Sequence, residues 1–182
     1  PSITPRSSSL RVRTKTAEGA IFIWRAISAL GVLALFWISD RILISISSII
    51  AAISARLAKD QGLALPPEQV SVTSGAKQAL FNALQVLLDD GDEVLIPAPY
   101  WVSYPEMVRL AGGVPVPLRW QGDFQVDFDD LARKITPKTR ILLLNSPNNP
   151  SGAVYPRQAL EKLAALAVRH DLAVVSDEIY AK

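Results

Sequence analysis

The chain of 182 residues contains no cysteine. That excludes a disulfide framework and any thiolate metal site. It has a single histidine, His170, which argues against a histidine-based triad or a multi-histidine metal centre. A strong charge of one sign is also missing, since 19 Lys/Arg against 17 Asp/Glu leave +2. Six of those bases and two of those acids lie in residues 1–50, so this stretch carries +4 and the remainder −2. The sequence pI of about 9.1 thus comes largely from the N-terminal third and is poor evidence for a nucleic-acid partner. Long apolar runs are lacking too. Residues 20–53 are rich in apolar side chains but are broken by Arg25 and by Asp40-Arg41, and the clear stretch at residues 26–39 has 14 residues, where a bilayer span needs about 20. No small-residue cleavage site clearly follows, which disfavours a signal peptide. A pair of buried helices is the plainest reading of this segment, and a membrane anchor the competing one.

What is present is an ordered alternation. The length suffices for one domain with a real core. From residue 66 onward, short β-rich runs alternate with segments of helical spacing. Residues 70–73 read as a strand, 76–88 as a helix with Ala79, Leu80, Ala83, Leu84 and Leu87 on one face, and 93–96 as a strand stopped by Pro97 and Pro99. Residues 104–111 read as a helix ended by Gly112-Gly113, 114–118 as a strand, and 127–135 as a short helix. The nearly continuous apolar run 140–144 and the strand 172–176 are expected to be buried on both faces, with the helix 157–170 between them. This pattern predicts an α/β fold with a mainly parallel sheet flanked by helices. In such sheets ligands sit beyond the carboxyl ends of the strands.

Polar clusters stand where strands end. Ser74-Gly75-Ala76-Lys77 lies between a strand and a helix, where free N–H groups and a glycine suit a phosphate; Ser74 as an ordinary helix cap is the plain alternative. Asn145-Ser146-Pro147-Asn148-Asn149-Pro150-Ser151-Gly152 follows the buried run and is longer than a chain reversal requires. Its prolines stiffen it. Ser176-Asp177-Glu178-Ile179-Tyr180 places an acid at the end of a buried strand, which is costly unless a partner satisfies it. Pro97-Ala98-Pro99-Tyr100-Trp101 offers aromatics that either pack in the core or stack on a flat ring.

Taken in order, SGAKQAL, PAPYWVSYPEM, NSPNNPSG and SDEIY resemble the fold-type I pyridoxal-phosphate enzymes, in particular class I/II aminotransferases of the aspartate aminotransferase group. The likeness covers about residues 54–182. It implies pyridoxal 5'-phosphate as cofactor, with Gly75, Ala76 and Lys77 on its phosphate and Trp101 stacked on its ring. It also implies Asn149 and Tyr180 on the ring's phenolic oxygen and Asp177 on the pyridine nitrogen. A carboxylate there favours the protonated, electron-withdrawing ring. The implied reaction moves an amino group between an amino acid and a 2-oxo acid. A carbon–sulfur lyase or an aminocyclopropane-carboxylate-synthase-like enzyme shares these motifs. The family also implies a cytoplasmic homodimer with no nucleic-acid partner.

Two departures stand out. The family's Schiff-base lysine lies well past the SDEIY segment, and neither Lys182 nor Lys77 matches it. No catalytic residue is therefore assigned, and the 182 residues alone are expected to be an inactive fragment. Residues 1–53 are expected to form an atypical apolar segment, distinct from a partial cofactor-binding domain at 54–182. Pro1-Ser2-Ile3-Thr4-Pro5 still resembles the family's opening, and residues 51–62 the helix before the first strand. Much of residues 6–50 fits an out-of-frame translation with some sequence deleted. Asp40-Arg41-Ile42-Leu43-Ile44 can be encoded GAC CGG ATT TTG ATA, which from its third base reads Pro-Asp-Phe-Asp, close to a family loop.

Overall fold

In a computed structural model of the chain, residues 21–24, 46–62, 64–122 and 124–180 are described. The strands are β1 (Ile21–Trp24), β2 (Glu93–Pro97), β3 (Val114–Leu118), β4 (Trp120–Gln121), β5 (Gln125–Val126), β6 (Thr139–Asn145) and β7 (Ala173–Asp177). The α-helices are α1 (Ile46–Gln61), α2 (Ala76–Leu87), α3 (Ser103–Leu110), α4 (Phe128–Lys134) and α5 (Arg157–Arg169). Five strands form one sheet in the order β1-β7-β6-β2-β3, and every pairing in it is parallel. All five strands therefore end on the same edge, which is where the polar clusters lie.

The apolar runs explain the layering. Side chains alternate across a strand, and in β6 Ile141 and Leu143 join one core while Leu142 and Leu144 join the other. The first core holds Leu80, Leu84, Tyr104, Met107 and Val108 from α2 and α3, against Val94, Ile96 and Val175. The second holds Leu131, Leu163 and Ala167 from α4 and α5, against Leu95, Leu118 and Val174. A central sheet with helices on both faces follows, as the sequence pattern predicts.

Local signals fix the helix ends. Asp127 caps α4, its carboxylate accepting from the Asp129 and Asp130 amides at 3.0 and 2.9 Å. Its carboxyl is held below the ordinary value, chiefly by the Asp130 amide. After α3 the chain turns at Gly112, with φ 86°, and Gly113 packs so closely that a Cβ there would lie 2.9 Å from Leu88 and 3.1 Å from Val108.

Three features depart from the expectations. Residues 70–73 do not form a strand; Val70 closes a short 3-10 turn at Pro67–Gln69 instead, its amide bonding the Pro67 carbonyl at 3.0 Å. A strand exists only through a hydrogen-bonded neighbour, and among the described residues none lies beside this segment. Trp120–Gln121 and Gln125–Val126 form an antiparallel pair that the sequence reading left unassigned. Within the N-terminal apolar segment, Ile21–Trp24 is a strand parallel to β7 rather than part of a helix pair, and α1 begins at Ile46. The rest of that segment, including the stretch at 26–39, lies outside the described residues. Among the described residues no helix is long and apolar enough to cross a membrane.

Candidate functional site

The loops after β2, β6 and β7 meet at the carboxyl edge of the sheet. Asn145 and Asp177 end adjacent strands as register partners. Along β7, Ala173 and Val175 face the core beneath α2 and α3, so Asp177, two residues on, points the same way. It is 4 % exposed. Its Oδ2 accepts from the Tyr104 hydroxyl at 2.7 Å, and its Oδ1 accepts from the Ile179 amide at 3.2 Å. Among the described residues no ion-pair partner is found for this carboxylate.

Tyr104 links the acid to the aromatic loop. Its ring meets Trp101 edge to face, with centroids 5.5 Å apart and an interplanar angle of 89°. On Trp101 sits a second contact, the Lys77 ammonium, 4.9 Å from the ring centroid. Lys77 belongs to the first turn of α2, which holds no acid. The first amides of a helix have no intrahelical acceptor. Gly75 precedes them with φ 93°, and a Cβ built there meets nothing within 4 Å. The start of α2 is thus an open turn lined by N–H groups, suited to an anion.

The loop after β6 is locked by its own side chains. The Asn145 side-chain amide donates to the Asp177 carbonyl at 2.9 Å, and its Oδ1 accepts from the Asn149 amide at 2.7 Å. Asn148 donates to the Pro99 carbonyl at 3.0 Å, tying this loop to the one after β2. Its Oδ1 accepts from the Ser151 hydroxyl at 2.7 Å. Asn149 in turn donates to the Tyr180 hydroxyl at 3.1 Å, and Tyr180 is 52 % exposed.

Of the residues singled out in the sequence, Asn149 and Tyr180 touch, Trp101 joins Asp177 through Tyr104, and Lys77 joins Trp101. Gly75 and Ala76 stand beside Lys77 at the head of α2. The sequence reading missed Tyr104, Asn145 and Asn148 as parts of this assembly. Tyr104 carried no separate signal, because a tyrosine on a helix face reads as core. The two asparagines were visible in the loop motif, but which of its amides faces inward is decided by the fold.

Burial first, and then the hydrogen bond to and charge of Asp177 and the charge of Tyr180, push the Tyr104 hydroxyl well above the ordinary phenol range. The site thus combines an anion-binding turn, a flat aromatic, two neutral polar groups and a buried carboxylate that has no ion-pair partner among the described residues. Such a set can hold a planar, phosphate-bearing group that carries positive charge on the side facing Asp177.

Comparisons with known proteins bear on the family and the fold. Residues 45–182 match the model of the family described as aminotransferase class I and II. An aspartate/prephenate aminotransferase of Thermus thermophilus is 54 % identical over 131 residues, covering 71 % of this chain and 34 % of that protein. An aspartate aminotransferase of Geobacillus stearothermophilus is 50 % identical over 129 residues, covering 70 % of this chain and 33 % of the relative. The solved aspartate aminotransferase of Thermus thermophilus with maleate superposes with a TM-score of 0.71 at 52 % identity, covering 74 % of this chain and 36 % of that one. The chain therefore spans about a third of the length of the curated relatives it matches. With the motifs in order, the sheet edge built as described and the family model matched from residue 45 to 182, the chain belongs to the class I and II aminotransferases.

Proposed function

We propose that the protein is a pyridoxal-phosphate-dependent aminotransferase that moves the amino group of aspartate to a 2-oxo acid. The observation that carries this reading is the buried Asp177 carboxylate, which among the described residues is hydrogen-bonded only to neutral donors, at the meeting point of three loops. A buried acid without a cation is costly, and a protonated ring nitrogen supplies the missing charge. The open turn at Gly75 fits the cofactor's phosphate, since φ 93° is a conformation that favours glycine and the space beside it is empty to 4 Å.

When bound, pyridoxal phosphate supplies an electron sink for the charge left as the substrate's α-proton departs. The chain's own residues prepare that sink. The amides of Ala76 and Lys77 bind the phosphate and fix one end of the ring. Trp101 offers a flat face to it and excludes water on that side. Asn149 and Tyr180 direct polar hydrogens toward the phenolic oxygen. Asp177 holds a proton on the ring nitrogen by placing negative charge beside it. The choice of aspartate is supported by the names of the relatives cited above. The same reading makes the protein a cytoplasmic homodimer, with an amino acid and a 2-oxo acid as its small-molecule partners.

The test is an exchange of segments. Residues 45–182 replace the matching stretch of the Thermus thermophilus relative, and the chimera is assayed with aspartate and 2-oxoglutarate. Amino transfer that is lost on Asp177→Ala supports the proposal. A folded chimera that retains no pyridoxal phosphate contradicts it.

A further inference from the structure

Tyr104 occupies the second position of α3 and is 2 % exposed. Its ring packs in the core between α2, α3 and the sheet. A phenylalanine would fill that space equally well, so packing does not account for the hydroxyl. The hydroxyl is nevertheless carried to the end of β7, 73 residues along the chain, where it donates to Asp177 Oδ2 at 2.7 Å. Asn145 and Ser146 reach only the Asp177 main-chain carbonyl. Among the described residues, the one side-chain hydrogen bond to this carboxylate comes from Tyr104.

The geometry points to Tyr104 as a positioning residue that sets the direction in which Asp177 meets a protonated ring nitrogen; this rests on the cofactor reading above. The terminal torsion of a carboxylate is broad and roughly two-fold, so the group turns unless each oxygen has a fixed donor. Here Ile179 holds Oδ1 and Tyr104 holds Oδ2. The remaining lone pairs then face a defined direction. A tyrosine suits this task because it donates without adding positive charge. A lysine or arginine in its place would neutralise the acid and compete with the ring nitrogen. Burial and the neighbouring acid push the phenol upward, which favours the protonated, donating form. The same ring braces Trp101 edge to face, tying the stacking aromatic and the acid to one side chain.

Calorimetric titration of the chain with pyridoxamine 5'-phosphate tests this, because that amine form of the cofactor makes no covalent bond to lysine. Tyr104→Phe keeps the ring volume and the contact with Trp101, and circular dichroism verifies that the fold is retained. The expected loss of affinity is about tenfold, the size of one hydrogen bond to a charged group. In an Asp177→Ala background the same substitution is expected to change affinity by less than about twofold, since the group it acts through is gone. An analogue with C–H in place of the ring nitrogen should bind the parent chain and Tyr104→Phe alike. Equal affinity of parent and Tyr104→Phe for pyridoxamine phosphate overturns the inference alone. So does an identical fold-loss in both backgrounds, which marks a purely structural role. Absence of binding by the parent chain overturns the cofactor reading and the inference with it.

Discussion

Asp177 places a carboxylate where nothing cationic among the described residues meets it, and two neutral donors hold it in place. Such a residue is poorly suited to stability and well suited to a charged ligand. Asp177→Ala is therefore expected to leave the fold intact while weakening pyridoxamine phosphate binding at least tenfold, a cost of about 1.4 kcal/mol or more. Calorimetry on the folded variant checks this, and unchanged affinity would remove Asp177 from the site. Gly75 makes the complementary case through its backbone. At φ 93° a side chain is strained, even though a Cβ there would meet nothing within 4 Å. Gly75→Ala is expected to cost about 1–3 kcal/mol in local strain and to reduce binding of the phosphorylated cofactor more than that of pyridoxamine without phosphate. Equal effects on the two would show that the turn holds no anion. At this scale the sequence was uneven. Asp177 and Asn149 could be read from motifs at strand ends. Tyr104 could not, because its partner lies 73 residues away and only the folded sheet brings them together.

Helix α4 shows what a single element gains from well-placed charge. Asp130 lies buried in its first turn, and Lys134 donates to it at 2.7 Å while the Arg119 amide donates at 2.8 Å. These bonds, with the Lys134 side chain contributing most, pull the Asp130 carboxyl down from 3.8 to about 2. A carboxyl depressed in the folded state stabilises the protein above its unfolded value and loses that contribution as pH falls through its folded value. The stability of the parent chain should therefore drop between about pH 4 and pH 2 through this group, and Asp130→Asn should be less stable at neutral pH with a shallower acid limb. Urea midpoints measured across that range decide it; parallel curves for the two proteins would refute it. The cap at Asp127 makes a simpler claim, that Asp127→Ala costs about 1 kcal/mol. Elements of this kind were legible where apolar residues recur at helical spacing, as in α2, whose Ala79, Leu80, Ala83 and Leu84 are buried. Residues 70–73 misled because β-propensity describes a side chain's fit to a sheet, and supplies no neighbouring strand.

For the whole molecule, the sheet is the structural unit that brings the loops together. Its strands run parallel, so the loops after β2, β6 and β7 share one edge, and both faces of β6 are covered. That double burial is why the run at 140–144 could be recognised from composition alone. Leu143, 1 % exposed, packs beneath α2 and α3. Leu143→Ala is expected to cost about 2–5 kcal/mol and, by loosening the floor on which Tyr104 rests, to weaken cofactor binding as well. Urea denaturation together with calorimetry reads both effects. The order of the strands was not legible in the same way, since periodicity gives each strand but not its neighbour.

The central claim is that the strand ends around Asp177 form a pyridoxal-phosphate pocket on this chain. Amide and indole resonances followed by nuclear magnetic resonance during titration with pyridoxamine 5'-phosphate test it most directly. The account predicts saturable shifts concentrated at Gly75, Ala76, Lys77, the Trp101 indole, Asn149, Asp177 and Tyr180. Shifts scattered over the surface, or concentrated away from the carboxyl edge of the sheet, would contradict it.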